Sequence, residues 1–232
     1  MTDRPRALVL LSGGLDSTVA AYLAADECEV LGALAFDYGQ RARRRELGAS
    51  YAIAADLRIA HRTVELPFFR LLSAGALTEP ASELPRPSAG DLDDPEAARA
   101  SAAAVWVPNR NGVFIAVGAA WAESAGADVL VVGFNAEEAR TFPDNGEDFV
   151  ARQNEALAYS TARGVRVSAP TQRMSKVEIV RVAMERDLPL ERAWSCYEGD
   201  DKPCGTCESC RRFDRALDAA GARSWYEARR NR

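Results

Sequence analysis

The chain has 232 residues, 47% of them hydrophobic, enough for one sizeable core or one core plus a small appendage. Its 34 acidic and 29 basic residues leave a formal charge of −5, which argues against a protein that gains affinity by neutralising nucleic-acid phosphates. No apolar run approaches the roughly 20 residues of a membrane span, and the first residues run into an apolar strand without a signal-peptide cleavage site. The expectation is therefore a cytoplasmic protein, with neither membrane nor nucleic acid as partner.

Ala7–Leu11 is a short apolar run closed by Ser12-Gly13-Gly14, which predicts a buried parallel strand. Asp16–Ala25 predicts a helix, Val30–Phe36 a second strand, Arg43–Asp56 a helix and Ala60–Leu66 a third strand. The single histidine, His61, reads as a surface residue, so chemistry that needs a histidine base is not expected. Thr78–Ala100 holds Pro80, Pro85, Pro87 and Pro95 among Asp, Ser and Ala. It reads as a long mobile loop, spanning 78–104 with its flanks, either a lid or a plain insertion.

Asn111–Ala125 predicts a helix, with Val113–Ala125 and Trp121 read as core, although a homodimer contact stays open. Asp128–Gly133 predicts a fourth strand, Phe149–Thr161 a helix, Val165–Ser168 a fifth strand and Lys176–Arg186 a helix. A last helix is expected near Arg211–Ala220, followed by a solvated, partly ordered tail, Arg223–Arg232. The alternation implies an α/β, doubly wound parallel sheet over residues 1–190 and a small cysteine-bearing helical segment over 191–232.

Ser12-Gly13-Gly14-Leu15-Asp16-Ser17 sits between the first strand and the first helix. Glycines there allow a tight turn whose amides face an anion, and the helix start adds partial positive charge. Ser12 and Ser17 can donate to phosphate oxygens, and Asp16 can help hold a magnesium ion. The Gly-Lys-Ser/Thr ending of a Walker loop is absent, and so is the dinucleotide fingerprint. Near the other end, Cys196, Cys204, Cys207 and Cys210 fall within 15 residues, too close together to staple distant loops. Four thiolates about 2.3 Å from one ion make a closed, structural zinc site. An iron–sulfur cluster is the alternative. Cys28 reads as an ordinary buried thiol.

The Ser-Gly-Gly-x-Asp-Ser string resembles the signature of the PP-loop family, adenine nucleotide alpha hydrolase-like enzymes that cleave ATP between its α and β phosphates. Four further strings narrow the resemblance: Asp37-Tyr-Gly-Gln-Arg41, Val107-Pro-Asn-Arg-Asn111, Gly133-Phe-Asn135, and Trp194-Ser-Cys-Tyr197 leading to Pro203-Cys-Gly-x-Cys-x-Ser-Cys210. From about residue 7 to 220 the chain is similar to the 7-cyano-7-deazaguanine synthase family. That resemblance implies conversion of 7-carboxy-7-deazaguanine and ammonia to the nitrile preQ0 through adenylated intermediates, in queuosine or 7-deazapurine synthesis.

The implied ATP segment is Leu11, Ser12, Gly13, Gly14, Leu15, Asp16, Ser17, Thr18, Val19 and Ala20. The implied catalytic set is Asp16, Ser17, Arg41, Arg110 and Lys176, and the substrate set is Tyr38, Gln40, Arg110, Asn111, Asn135, Phe142 and Asp144. Lys176 and Glu178 match a Lys-x-Glu element of the family, and a helix-start pair is their plainer reading. The implied cofactors are ATP, Mg2+ and one structural Zn2+ on the four cysteines. The chain departs from the family at Asn109, where glycine is usual, at Ala42, where histidine is frequent, and over Glu137–Asn145, which keeps Phe142-Pro143-Asp144 of the usual stretch. Those departures leave two alternatives: a PP-loop adenylating enzyme acting on another carboxylate, a protein terminus or a tRNA base, and a non-catalytic nucleotide-binding paralogue.

Overall fold

The computed structural model describes residues 4–72, 75–79 and 81–231. Pro80, one of the four prolines in the expected loop, lies outside the described residues. Strand β1 (Arg6–Leu10) leads through the glycine turn into α1 (Leu15–Glu27), then β2 (Glu29–Asp37), α2 (Arg43–Asp56) and β3 (Ala60–Glu65). The short α3 (Phe69–Leu72) and α4 (Pro95–Ala104) precede α5 (Arg110–Ala125) and β4 (Val129–Val131). Then come α6 (Glu147–Ser160), β5 (Arg166–Ser168), α7 (Lys176–Glu185), α8 (Glu208–Ala219) and α9 (Arg223–Arg230).

The five strands form one sheet in the order β3-β2-β1-β4-β5, with every pair parallel. Successive side chains of β1 point to opposite faces. Ala7, Val9 and the following Leu11 pack with Ala20, Ala21 and Ala24 of α1 and Ile53 and Ala54 of α2. Leu8 packs on the other face with Ile115 and Ala119 of α5 and Val150 and Leu157 of α6. Both faces are covered, which is why β1, β2 and β4 read as unbroken apolar runs. The fold is the expected doubly wound α/β sheet. Its order reverses between β1 and β4, where open α/β sheets bind ligands beyond the carboxyl ends of the strands.

The C-terminal helices are built onto this body. Leu15 and Val19 of α1 share a buried cluster with Ile179 and Val180 of α7, Leu188, Leu190, Ala216 and Leu217 of α8, and Tyr226 of α9. Residues on both sides of position 190 therefore belong to one core.

Two segments differ from expectation. The last third of the expected loop is helical: Pro95 occupies the first turn of α4, and Asp94 caps it by accepting from Glu96 N and Ala97 N. Proline is favoured there because its missing N–H would have no partner in a first turn. The same segment carries apolar anchors, since Leu77, Leu84, Val105 and Val107 are buried against Phe36, Tyr38, Leu66 and Phe69. The tail forms α9, held by buried Tyr226 and by Arg229 pairing with Glu191 at 2.8 Å.

Candidate active site and metal centre

The turn after β1 is shaped by close approaches. Gly13 has φ +84, and a Cβ there would lie 2.5 Å from Glu46 O of α2, so a side chain is excluded both by conformation and by space. Gly14 O accepts from Thr18 N at 3.0 Å and Thr18 Oγ1 at 2.6 Å, while the Ser12 and Ser17 hydroxyls lie 2.9 Å apart. Gly14, the N-cap of α1, makes no side-chain cap hydrogen bond, so the first-turn amides of α1 are left for another acceptor. Gly133, just after β4, closes the opposite wall: a Cβ there would sit 2.5 Å from Ser17 N. Trp194 N donates to Gly13 O at 2.8 Å, which docks the cysteine segment onto the turn.

Two cavities meet at this turn. The larger, about 240 Å³, has apolar walls from Leu10, Leu34, Phe36, Phe114 and Ile115, with Leu11, Ser17, Tyr38, Gln40 and Asn111 also lining it. The smaller, about 150 Å³, is bounded by Leu15, Leu77, Val105, Phe142, Lys176, Trp194, Ser195 and Tyr197. Ser12, Gly14, Asp16, Glu46, Arg110 and Glu138 line both.

Charge at the junction is arranged around Lys176, which is 7% exposed. Its Nζ donates to Asp16 Oδ2 at 2.9 Å and Glu138 Oε1 at 2.8 Å. Burial disfavours the ammonium, but the two carboxylates outweigh it and hold Lys176 protonated above its ordinary range. Burial likewise works to raise Glu138, and Lys176 overrides it, leaving that carboxyl below the ordinary range. Asp16 is pushed up by burial, partly offset by Lys176. Asp16 Oδ1 is buried without a hydrogen-bond partner. Glu178, by contrast, caps α7: its Oε2 accepts from Ser175 N at 2.7 Å, and its N–H donates to Ser175 Oγ.

Arg110 Nη1 donates to Tyr38 Oη at 3.2 Å and its guanidinium lies over the Tyr38 ring. Gln40 Nε2 donates to Phe36 O and to Glu46 Oε2, both at 3.0 Å. Burial lifts Glu46 to about 7, against the Gln40 hydrogen bond and the nearby Arg110 charge. The remaining expected residues sit elsewhere. Arg41 lines neither cavity; it donates to Ala76 O and Ser82 O and lies 4.0 Å from Glu198. Asn135 is fully buried, its Oδ1 accepting from Glu137 N and Glu138 N, with Nδ2 unpartnered. Asp144 lies behind Asn111, whose Nδ2 donates to Asp144 O at 3.2 Å. Gly13, Thr18, Val19 and Ala20 are buried beneath the turn.

Sequence reasoning passed over Glu46, Glu138, Phe114 and Ser195 as site residues. Glu46 sits five residues past Arg41 on what reads as an ordinary helix, and Glu138 sits in the departed stretch, so neither carries a local signal. The substitution at Asn109 has a physical account: its φ 51 and ψ 28 lie in the left-handed region, which asparagine tolerates better than other side chains. His61 is half-buried, with Nε2 2.8 Å from Ser50 Oγ, which also donates to Leu11 O; it lines neither cavity, and burial lowers its pKa.

The four cysteine sulfurs lie within 4.8 Å of one another. Tetrahedral ligation at about 2.3 Å spaces sulfurs by roughly 3.8 Å, so small side-chain adjustments close the site on one ion. Amides of Glu198 and Cys204 donate to Cys196 Sγ, and Cys207 N donates to Cys204 Sγ, each at 3.3 Å, as suits sulfurs that carry negative charge. Cys28 is separate and only partly buried.

A family model described as queuosine biosynthesis protein QueC matches residues 6–221. The chain is 50% identical over 216 residues to a 7-cyano-7-deazaguanine synthase of Pelotomaculum thermopropionicum, covering 93% of this chain and 98% of that one. It is 45% identical over 221 residues to a 7-cyano-7-deazaguanine synthase of Methanosarcina barkeri, covering 94% and 96%. Among solved structures, the U34-tRNA thiolase NcsA of Methanococcus maripaludis aligns with 16% identity and a TM-score of 0.48 over 97% of this chain and 74% of that chain. With a parallel sheet, a glycine turn at its switch point and a four-cysteine cluster docked beside it, the chain belongs to the QueC family of queuosine biosynthesis proteins.

Proposed function

We propose that the protein is an ATP-dependent carbon–nitrogen ligase that converts 7-carboxy-7-deazaguanine and ammonia into 7-cyano-7-deazaguanine. The supporting observation is the junction itself: an apolar cavity and an aromatic-walled cavity open onto the same glycine turn and share Asp16, Glu46, Arg110 and Glu138. A reaction that joins a planar carboxylate to the α phosphorus of ATP needs two such compartments meeting at one point.

Adenosine suits the larger cavity, and the triphosphate then lies over the first-turn amides of α1 with the Ser12 and Ser17 hydroxyls as donors. The deazaguanine ring suits the smaller one, against Phe142, Trp194 and Tyr197. The substrate carboxylate oxygen attacks the α phosphorus and pyrophosphate departs into the helix start, whose dipole stabilises its charge. Ammonia displaces AMP from the acyl carbon to give the amide. A second ATP adenylates the amide oxygen, and loss of AMP with the remaining N–H proton leaves the nitrile.

Arg110, aimed by Tyr38, pairs with the substrate carboxylate or the α phosphate. Lys176 fixes Asp16 while balancing one of the two buried negative charges, and the unpartnered Asp16 Oδ1 suits a hard divalent cation. Magnesium bound there supplies positive charge opposite the phosphates. Zinc suits the four cysteines better than an iron–sulfur cluster, because a cluster spreads its sulfurs wider than a single ion does. A free base as acceptor accords with the net charge of −5, and the work of making it belongs in the cytoplasm.

The test is incubation with ATP, magnesium, ammonium and 7-carboxy-7-deazaguanine, with AMP quantified and the product weighed by mass spectrometry. The nitrile with two AMP per turnover is expected. AMP without nitrile would redirect the proposal to another acceptor, and no AMP with any carboxylate would end it.

A further inference from the structure

The nitrogen chemistry of this site has a requirement that the nucleotide machinery does not meet. Ammonia is present at neutral pH almost entirely as ammonium, which has no lone pair to attack with. The attack, and later the collapse to a nitrile, each need a group beside the reacting carbon that accepts a proton from nitrogen.

That carbon must lie where the two cavities meet, since it is linked through one oxygen to the α phosphorus. Three carboxylates line both cavities: Asp16, Glu138 and Glu46. Asp16 and Glu138 are both tied to Lys176, at 2.9 and 2.8 Å. Glu46 differs. Among the described residues its carboxylate accepts one hydrogen bond, from the neutral Gln40 amide at 3.0 Å, and forms no ion pair. The amide is itself fixed from behind, since Gln40 Nε2 also reaches Phe36 O and Gln40 Oε1 accepts from Tyr38 N. The helix that carries Glu46 is pinned to the turn, because Glu46 O fills the space that a Gly13 side chain would take.

We propose that the Glu46 carboxylate is the proton acceptor for the nitrogen nucleophile. The inference rests on the ligase reading above. In the first half-reaction Glu46 takes a proton from ammonium. The nitrogen lone pair so released forms the C–N bond at the acyl adenylate, and the C–O bond breaks with its electron pair leaving on AMP. The adduct's second surplus proton passes to solvent. In the second half-reaction Glu46, deprotonated again by solvent, takes the N–H proton of the imidoyl adenylate. The N–H pair becomes the third C–N bond as AMP leaves. No oxidant or further reactant is needed. The charged or titratable groups around Glu46 are Arg110 of α5, Tyr38 after β2, Cys196 of the cysteine segment, and Asp16 and Glu138 across the junction, none hydrogen-bonded to it, and burial leaves its carboxyl near 7, matched to proton exchange at neutral pH.

Hydroxylamine separates this role from a structural one, because it is largely unprotonated at neutral pH and attacks acyl adenylates without a base. In Glu46→Gln, whose amide oxygen can still accept from Gln40, ammonium-dependent amide formation is expected to fall by about 100-fold or more. Hydroxamate formation from the same substrate and ATP should stay within about threefold of the parent, and the ammonium deficit should shrink as pH rises and free ammonia accumulates. Equal loss with both nucleophiles, or full activity with ammonium, would overturn the assignment. If the parent enzyme releases no AMP and makes neither amide nor hydroxamate, the ligase reading has failed before Glu46 is in question.

Discussion

At the scale of single residues, Lys176 is the group on which the junction depends. Removing its charge leaves Asp16 and Glu138 facing one another across a largely buried space. Breaking a buried pair in this way costs about 3–5 kcal/mol, and the lower figure applies because Glu138 is about a third exposed. Lys176→Met should therefore lose about 3 kcal/mol in urea denaturation at neutral pH and release no AMP. The sign of its pH dependence follows from linkage. With Lys176 present, Glu138 titrates below its ordinary 4.5, so its contribution favours folding above that pH and is lost on acidification. Without the lysine burial pushes both carboxyls above their ordinary values, so they take up protons sooner on acidification, and the variant's deficit should narrow as pH falls through the carboxylate range. A deficit that stays constant with pH would mean that Lys176 acts through packing.

Asn109 makes a second residue-scale case. Its left-handed backbone is cheap for glycine, tolerable for asparagine and costly for alanine. Asn109→Gly should leave thermal stability nearly unchanged, while Asn109→Ala should cost about 1 kcal/mol and loosen the start of α5 that carries Arg110 and Asn111. An alanine variant as stable as the glycine one would refute this account of the departure from the family's usual Val-Pro-Gly-Arg-Asn string.

At the scale of elements, the strands and the glycine turn could be read from the sequence because their determinants are local. β1, β2 and β4 are buried on both faces, so each is an apolar run, and the turn needs glycine where α2 and β4 crowd against α1. The same crowding yields a prediction. Gly133→Ala would drive a methyl to within 2.5 Å of Ser17 N and displace the first turn of α1. Folding should survive at a cost of about 1–3 kcal/mol. Pyrophosphate release should nonetheless fall by about 100-fold, since misplacing reacting groups by an ångström costs that much. Unchanged pyrophosphate release would show that the turn is not the phosphate cradle. The elements that sequence concealed are those whose signals point two ways. Pro95 breaks a helix interior but favours a first turn, and only the Asp94 cap decides between them. The site residues divide similarly: Glu46 and Glu138 become junction groups only when α2 and the segment after β4 are folded onto the turn, while Asn135 turns its Oδ1 to the amides of Glu137 and Glu138.

At the scale of the molecule, the four-cysteine centre is coupled to the ATP site without touching it. Trp194, two residues before Cys196, donates to Gly13 O; Cys207 and Cys210 lie at the start of α8, whose Ala216 and Leu217 pack against Leu15 and Val19 of α1. The same segment is tied to the long crossover by Ser101 with Glu208, Arg86 with Glu198 and Thr206, and Arg215 with Asp93. A metal ion that binds the folded arrangement more tightly than the unfolded chain adds that difference to the folding energy. Purified protein should contain one metal ion per chain by elemental analysis, zinc and not iron, and lack the visible absorption of a cluster. Stripping the ion with a chelator should lower the melting temperature, raise the solvent exposure of Trp194 seen in fluorescence, and slow pyrophosphate release, although no cysteine faces the nucleotide. Cys207→Ser should reproduce all three changes, because a hydroxyl replaces a buried thiolate ligand. The coupling runs through the wall that Trp194 builds against the turn, so metal-free protein that keeps both its melting temperature and its turnover would separate the two centres. The cysteine segment would then serve some purpose other than holding the ATP site in shape.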